Sequence, residues 1–394
     1  MLGAQESASR NLHISTSEHL HKDTVPFLRR QRLQLAMSSM GSPVLDIATP
    51  ATHTMGLFLQ PYVVKHVHPD IQHHQKITQI IITGSPQRYA QLSDTCIDSL
   101  RPTVSWIDSH TIHLNCFPSR SLMLHYASVV ATYLSLFRRD SGIVHLRPLD
   151  SDHTVRLIRE SNLQAIGKID LAIIGNVNNL TGLEGLTDHW YGFDRSEFSI
   201  FRWQKFTSRK HQAVAVIGCL EQLWGDTGGH ILRALCTQLN VKCVIYIAKC
   251  GSLSEEYTSN GWIATGTKAF LKGEVIQWSC PLEPVIDMSK DMSKKVARGP
   301  IVTVPTPLCE TRDWLSEWAS KATWVDCEVG FIAKAAVELG VQFGFLVVVS
   351  DNLWHPEGQN LSNEDSPTVI SARKVLYDQM TKILNSLLLR LDAS

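Results

Sequence analysis

Val341-Gln342-Phe343-Gly344-Phe345-Leu346-Val347-Val348-Val349-Ser350-Asp351-Asn352 is the stretch on which the fold turns. Residues 345–349 form an unbroken apolar, largely β-branched run, the pattern of a strand buried on both faces of a parallel sheet. Immediately upstream, Phe331, Ile332, Ala335, Ala336 and Leu339 recur at helical spacing and end at Gly340, so a helix feeds directly into the strand. This helix–strand unit carries an acid at each end, Glu328 where the helix opens and Asp351 where the strand meets polar sequence. In open α/β sheets ligands bind beyond the carboxyl ends of the strands. Asp351 is therefore delivered toward a site with little water, where a carboxyl group can be made to hold its proton. A strand-terminal aspartate also caps turns, and Asp351 taken alone fits both readings.

Working outward, Cys243-Val244-Ile245-Tyr246-Ile247-Ala248 reads as another buried strand, running into Lys249-Cys250-Gly251-Ser252-Leu253. Before it, Trp224-Gly225-Asp226-Thr227-Gly228-Gly229-His230 leads into a helix built on Ile231, Leu232 and Leu235. A glycine-rich helix start exposes backbone N–H groups that can hold an anion or a ribose hydroxyl. Such a turn is also a common device for tight packing.

Leu171-Ala172-Ile173-Ile174-Gly175, the 225–229 turn, Cys250-Gly251-Ser252, Gly261-Trp262-Ile263-Ala264-Thr265-Gly266, Val325-Asp326-Cys327-Glu328 and Val349-Ser350-Asp351 follow one another in order. In this order they resemble the nucleoside phosphorylase and nucleosidase superfamily, which includes purine nucleoside phosphorylases, methylthioadenosine/S-adenosylhomocysteine nucleosidases and AMP nucleosidases. The resemblance covers the chain from about residue 169 to its end. It implies a three-layer α/β domain with a central mixed sheet, cleavage of an N-glycosidic bond, and assembly into a homo-oligomer.

The resemblance also implies roles. Glu328 matches the glutamate that holds the ribose hydroxyls, and a carboxylate there favours positive charge developing on the sugar. Asp351 matches the acid that serves the purine N7, which makes the base a better leaving group. Cys327 stands where the family packs a methionine on the sugar, Ser350 orients Asp351 or the base, and Gly228, Lys249 and Gly251 shape the sugar or anion pocket. Trp354 and Trp314 are the candidates for an aromatic that stacks on the base.

The departures lie on the nucleophile side. Tyr246 stands where phosphorolytic members place an arginine, and 176–179 is Asn-Val-Asn-Asn with no basic residue. Phosphate recognition relies on fixed guanidinium forks, so water is the expected nucleophile. The position of the hydrolytic members' glutamate is Asn178, and an amide is no base at neutral pH; Glu184 is the nearest alternative. Lys249 reads either as a contact to a phosphate carried by the substrate or as a solvated loop lysine. A nucleoside-binding module without turnover, or an elimination or cyclisation on a related metabolite, are the competing readings.

The N-terminal half carries no recognised catalytic constellation. Residues 1–42 read as a flexible extension and 43–162 as a smaller α/β domain, with 163–394 as the nucleosidase-like domain. Strands are expected at 77–83, 103–107, 111–115 and 143–146, and helices at 86–100 and 121–137. The smaller domain is expected to cover the site or build an oligomer contact. The polar segment 355–367 is expected to act as a lid, and 368–391 as a closing amphipathic helix.

With 394 residues, 44% hydrophobic and 19% charged, the chain is long enough for two cored domains. A formal net charge of zero argues against nucleic acid or an anionic membrane as partner. The nine cysteines form no C-x-x-C pair and read as reduced thiols of a cytoplasmic protein. The first forty residues have no apolar core of a secretory signal. His66, His68, His73 and His74 cluster without acids or cysteines to complete a metal site, so they read as solvated loop histidines. Neither a metal nor a cofactor is expected.

Overall fold

The computed structural model describes residues 59–73, 75–85, 101–147, 149–150, 152–193, 198–355 and 361–390. It also describes the backbone of two short paired strands, Arg32–Leu33 and Leu45–Asp46. Apart from those strands, the expected 1–42 extension lies outside the described residues. So do the expected helix at 86–100 and His74.

Two sheets organise the molecule. The smaller contains β1 (Gln79–Gly84), β2 (Thr103–Trp106), β3 (Thr111–Cys116) and β4 (Val144–Leu146) in the order β2-β3-β1-β4. Only the β2–β3 pair is antiparallel. Helix α1 (Arg120–Leu136) packs on this sheet, and Ser119 Oγ caps it by accepting the N–H of Leu122. Nearly the whole circumference of α1 is buried, because the helix lies between the small sheet and the larger body. One continuous apolar core runs from Leu59 and Ile80 through α1 to Val349 on the far side of the interface.

The larger, eleven-stranded sheet is mixed. Its centre is β8 (Cys243–Ser252) paired in parallel along its full length with β15 (Gln342–Asn352). Alternation along these strands is strict. Val244, Tyr246, Ala248, Phe343, Phe345 and Val347 face the core shared with the N-terminal layer. Ile245, Ile247, Leu346 and Val348 face a second core closed by α6 (Pro367–Leu388). Both faces are covered, which is why these strands read as unbroken apolar runs. Helices α3 (Asp226–Leu239) and α5 (Val329–Leu339) pack against each other on the first face. A central mixed sheet with helices on both sides, preceded by a smaller α/β layer, is the architecture expected from the sequence.

The other edge of β8 is divided between two strands. Its first half, Cys243 to Ile247, pairs in parallel with β5 (Leu171–Gly175). Its last two residues, Gly251 and Ser252, pair antiparallel with β14 (Trp324–Asp326). Beyond β5 lies β7 (Ala213–Cys219), bordered by β6 (Phe201–Thr207). Beyond β14 lies β13 (Ile301–Thr303). Where β5 leaves β8 and β14 has yet to join it, the sheet opens. Gly175 ends β5 at φ +104°, and a Cβ there would collide with the Ile247 carbonyl oxygen, so only glycine lets the chain turn away at this point. Gly340, also at positive φ, ends α5 as expected.

Candidate active site

The split in the sheet is a cavity. Its floor is Gly175, Asn176 and 248–251, one wall is 325–328, and Ser350 and Asp351 close one end. Cys219 and 221–224, together with Tyr62, His66 and Arg101 from the N-terminal layer and with Leu361 and Glu364, complete the lining. The space between atoms is about 1050 Å³, solvent at the mouth included.

Asp351 is only 4% exposed and lies within the ladder, one residue from the strand's end, because β15 runs to Asn352. The register explains its aim. Cys250 pairs with Val349 but Gly251 pairs with Asp351, so Ser350 is the extra residue of a bulge, a feature that redirects side chains. Ser350 Oγ lies 2.7 Å from Asp351 Oδ1 and 3.1 Å from the Cys250 carbonyl oxygen. Gly251 leaves space beside the acid: a Cβ there would sit 3.3 Å from Asp351 Oδ2 and 2.9 Å from Leu353.

Glu328 stands at the N-terminus of α5, and the segment before it is fixed by hydrogen bonds to backbone. Asp326 Oδ2 accepts the N–H groups of Glu328 (3.0 Å) and Val329 (2.5 Å). Thr303 Oγ1 donates to Asp326 Oδ1 at 2.7 Å and accepts the N–H of Gly330 at 2.8 Å. Three N–H groups at a helix start, which lack partners within the helix, are thereby satisfied. Burial pushes the Asp326 carboxyl up to about 6, against the lowering effect of these bonds. Sequence reasoning had given Asp326 no role, although an aspartate two residues before a helix-opening glutamate is a capping signal.

Cys327 and Cys250 also line the cavity. Burial, reinforced by the neighbouring carboxylates, pushes both thiols well up, so neither supplies a thiolate nucleophile at neutral pH.

Lys249 is half-buried and ion-paired rather than solvated. Its Nζ is 3.0 Å from both carboxylate oxygens of Glu364, whose Oε1 also accepts from Arg373 at 2.9 Å. Burial tends to raise the Glu364 carboxyl, but Lys249 and Arg373 outweigh it and hold the group at about 2. The described part of the expected lid, from Leu361 onward, is thus tied to the site. His66 takes part as well: its Nε2 lies 3.0 Å from the Leu361 carbonyl oxygen, and its ring stacks on Tyr62 at 4.6 Å. The expectation of a solvated histidine is corrected here, since burial lowers His66 to about 4 and keeps it neutral. His125 continues the same wall, with Nδ1 2.9 Å from Thr306 Oγ1 and its ring 4.1 Å from Trp224.

Of the side chains and glycines expected at the site, Asp351, Glu328, Cys327, Ser350, Lys249 and Gly251 meet in this cavity. Gly228 and Trp354 lie outside its lining. Gly228 faces α5, where a Cβ would meet Ile332 Cγ1 at 2.8 Å. Trp354 is 38% exposed and donates its indole N–H to the Leu253 carbonyl. Trp314 stacks on Trp318 instead, and the aromatic residues that do face the cavity are Tyr62, Trp224 and Tyr246. Neither Asn178 nor Glu184 lines it, and Glu184 pairs with Arg209 at 2.6 Å. The cavity also contains buried carboxylates that sequence reasoning passed over, Glu221 and Glu310. They come from loops after β7 and β13, and no local pattern marks them. Carboxylates outnumber the cationic Arg101 and Lys249 around the cavity.

Among the described residues no group of three or more His, Cys, Asp or Glu side chains is placed to hold a metal ion. No described helix is long and apolar enough to cross a membrane.

No family model and no curated protein matches the chain. Among solved structures it is similar to a futalosine hydrolase mutant of Helicobacter pylori strain 26695, at 14% identity and a TM-score of 0.44, over 57% of this chain and 100% of that one. It is likewise similar to the 5′-methylthioadenosine/S-adenosylhomocysteine nucleosidase of Helicobacter pylori, at 15% identity and a TM-score of 0.44, over 57% and 100% of the two chains. A third is a putative methylthioadenosine nucleosidase from Weissella paramesenteroides, at 14% identity and a TM-score of 0.42, over 55% and 99%.

Proposed function

We propose that the protein cleaves the N-glycosidic bond of a purine nucleoside or nucleotide-like substrate, with water as the nucleophile. The observation that carries this reading is the meeting of Asp351 and Glu328 in one buried cavity, each at the end of a regular element and each beside residues that fix its position. Asp351 serves the leaving base and Glu328 the ribose hydroxyls.

The Ser350 geometry suits an acid that gives up and regains a proton. With Asp351 ionised, Ser350 donates to Oδ1 at 2.7 Å; with Asp351 protonated on its other oxygen, from which the proton can pass to the base, the serine hydrogen stays on Oδ1 or turns to the Cys250 carbonyl at 3.1 Å. Either state is satisfied without moving a heavy atom, which keeps reorganisation during the proton transfer small. The barrier falls because electrons leave toward an acid while the oxocarbenium-like sugar is held by a carboxylate.

Water is favoured over phosphate by the charge of the cavity. An anionic nucleophile would enter a space where carboxylates outnumber cations, and the Lys249 ammonium is held by Glu364.

The test is mass-spectrometric. The protein and its Asp351→Asn variant are incubated with purine nucleosides, AMP and 5′-thioether nucleosides, with and without phosphate. Free base released by the parent, independent of phosphate and lost in the variant, is the expected result. Binding without release from any substrate would leave a nucleoside-binding module, the reading that Tyr246 and Asn178 favour. A product that retains its base would point to a different reaction on the same fold.

A further inference from the structure

We infer that Glu364 is a positioning residue for Asp351: its carboxylate braces both strands of the bulge that aims the acid, β8 through Lys249 and β15 through Arg373 and Asn260. The inference rests on the reading above that Asp351 serves the leaving base, and deepens it.

The bulge sets the requirement. Ser350 is its extra residue, and such a residue drops out of the ladder, so its backbone needs partners elsewhere. Asn260 supplies them from the other side of β15. It stands three residues before β9 (Ile263–Thr265), which pairs antiparallel with β15 at Val347 and Val348. The Asn260 backbone N–H donates to the Val349 carbonyl at 2.6 Å, and its side-chain Nδ2 donates to the Ser350 carbonyl at 3.4 Å. Asn260 is 4% exposed and adopts φ +55°, a left-handed conformation that asparagine tolerates better than most residues.

Arg373 decides which way the Asn260 amide faces. A guanidinium carries donors only, so the 2.6 Å contact from Arg373 Nε is accepted by Asn260 Oδ1, and the amide hydrogens are turned toward Ser350. Arg373 lies on α6 and is held in turn by Glu364, Nη2 donating to Oε1 at 2.9 Å.

The same carboxylate takes Lys249 Nζ at 3.0 Å on both oxygens. Lys249 precedes Cys250, which is the last residue before the register shift and the acceptor of the Ser350 hydroxyl. One carboxylate therefore reaches both strands that meet at Asp351. The Glu364 and Arg373 side chains are only 11% and 12% exposed, so solvent ions screen the pair little. Without the carboxylate, Lys249 and Arg373 are two like charges in a buried space, and the Asn260 amide loses its anchor. Glu364 also lines the cavity, which makes direct contact with substrate the rival role, and kinetics separate the two.

The test uses the full chain and whichever purine or 5′-thioether nucleoside the parent cleaves fastest. Glu364→Gln keeps the shape and removes the charge. Arg373→Lys keeps a charge beside Glu364 but lacks the fork that also reaches Asn260. Each is expected to lower kcat by about 10–10²-fold, as a displacement of the reacting groups on the order of 1 Å would, with KM within about threefold of the parent. Each is also combined with Asp351→Asn, with enzyme in excess over substrate so that slow release is read as a single turnover. Because Glu364 acts through Asp351, the further loss in that background is expected to stay within about threefold. Circular dichroism at the assay temperature checks the fold, and Arg373→Lys decides if Glu364→Gln does not fold. A folded variant with kcat within about threefold of the parent, or a loss that multiplies with that of Asp351→Asn, overturns the inference while the hydrolytic reading stands. So does a rise in KM at unchanged kcat, which would make Glu364 a substrate contact. A parent that releases no base from any substrate overturns both.

Discussion

The two strands that share one edge of β8 lead into unlike halves of the cavity. At the end of β14 and, across β8, at the end of β15, the acids are held within regular elements: Asp326 caps α5, Thr303 braces Asp326, and Ser350 occupies a bulge against Asp351. Beyond β5, the lining comes from strand-end loops and from the N-terminal layer, with Glu221, Trp224, Tyr62 and Arg101 contributed by segments far apart in the chain. The first half is positioned by secondary structure itself, and the second depends on how separate layers pack. Groups placed by strands and helix ends hold their geometry more closely than groups placed by loops, so the rigid half is the one expected to stabilise the charge that develops on the base.

That contrast is broken most directly at Asp351. Asparagine keeps the shape and can still accept from Ser350, but it has no proton to give. The expected loss in base release for Asp351→Asn is about 10²–10⁴-fold, with nucleoside affinity, measured by calorimetry, nearly unchanged. A variant that releases base at the parent's rate would make the two halves equivalent and remove Asp351 from the chemistry.

Asp326 tests whether the rigidity comes from the cap. Asp326→Ala removes the acceptor for two N–H groups and the partner of Thr303, at an expected cost of about 2 kcal/mol in denaturant unfolding. Asp326→Asn retains an acceptor oxygen and is expected to cost less. The two also differ in pH dependence. Burial raises the Asp326 carboxyl from 3.8 to about 6 in the folded protein, so the folded state binds this proton more tightly than the unfolded state. The resulting stabilisation is fully present below about pH 4 and is lost as pH rises through about 6. Its size is on the order of 3 kcal/mol, from the cost of about 1.4 kcal/mol per unit. Asp326→Asn is neutral throughout and should flatten this part of the stability profile. An unchanged profile would mean that another group titrates there.

How far each half could be read from sequence follows the same division. The helix that starts after Glu328, the strand through Val349 and the closing helix at Pro367–Leu388 were legible because their apolar residues repeat with the period of the element. Asp351, Glu328 and Ser350 were legible because they stand at the ends of those elements. The bulge was not, since a single extra residue changes no periodicity. The wall formed by Tyr62, His66 and Trp224 was not legible either. Its parts lie on different segments, and their juxtaposition depends on the packing of the N-terminal layer, including the bond from Ser121 to Asp226 at 2.8 Å and that from Thr227 to Ser119 at 2.7 Å. His66 was misread for this reason: its sequence neighbours are polar, while its spatial neighbours are Tyr62 and the Leu361 carbonyl.

Ser350 sharpens the comparison on a smaller scale. Its hydroxyl touches the acid and not the substrate in this account, so it is a positioning residue. Ser350→Ala leaves one Asp351 oxygen without its 2.7 Å donor, worth about 1–1.5 kcal/mol, or roughly tenfold in kcat. KM should hold, and Ser350→Thr, which keeps a hydroxyl, should recover most of the rate. A rise in KM with kcat unchanged would instead make Ser350 a substrate contact.

The smallest effect is expected at Gly228, one of the two glycines in the first turn of α3, and its contrast with Gly229 separates packing from binding. A Cβ on Gly229 would lie 2.9 Å from the Phe331 carbonyl oxygen, which is backbone and cannot yield without moving α5. Gly229→Ala should therefore destabilise by about 1–3 kcal/mol. On Gly228 the obstacle is the Ile332 side chain, at 2.8 Å and 3.0 Å, which can rotate away. Replacing a glycine inside a helix by alanine returns about 1 kcal/mol of backbone preference, so Gly228→Ala should change stability by less than about 1 kcal/mol. Neither variant should alter KM, because the helix start touches α5 and Ser121 and lies outside the cavity lining, except for Trp224 at its approach. A rise in KM for Gly228→Ala at unchanged stability would restore this turn as a cradle for the sugar and extend the binding surface into the packing layer between α3 and α5.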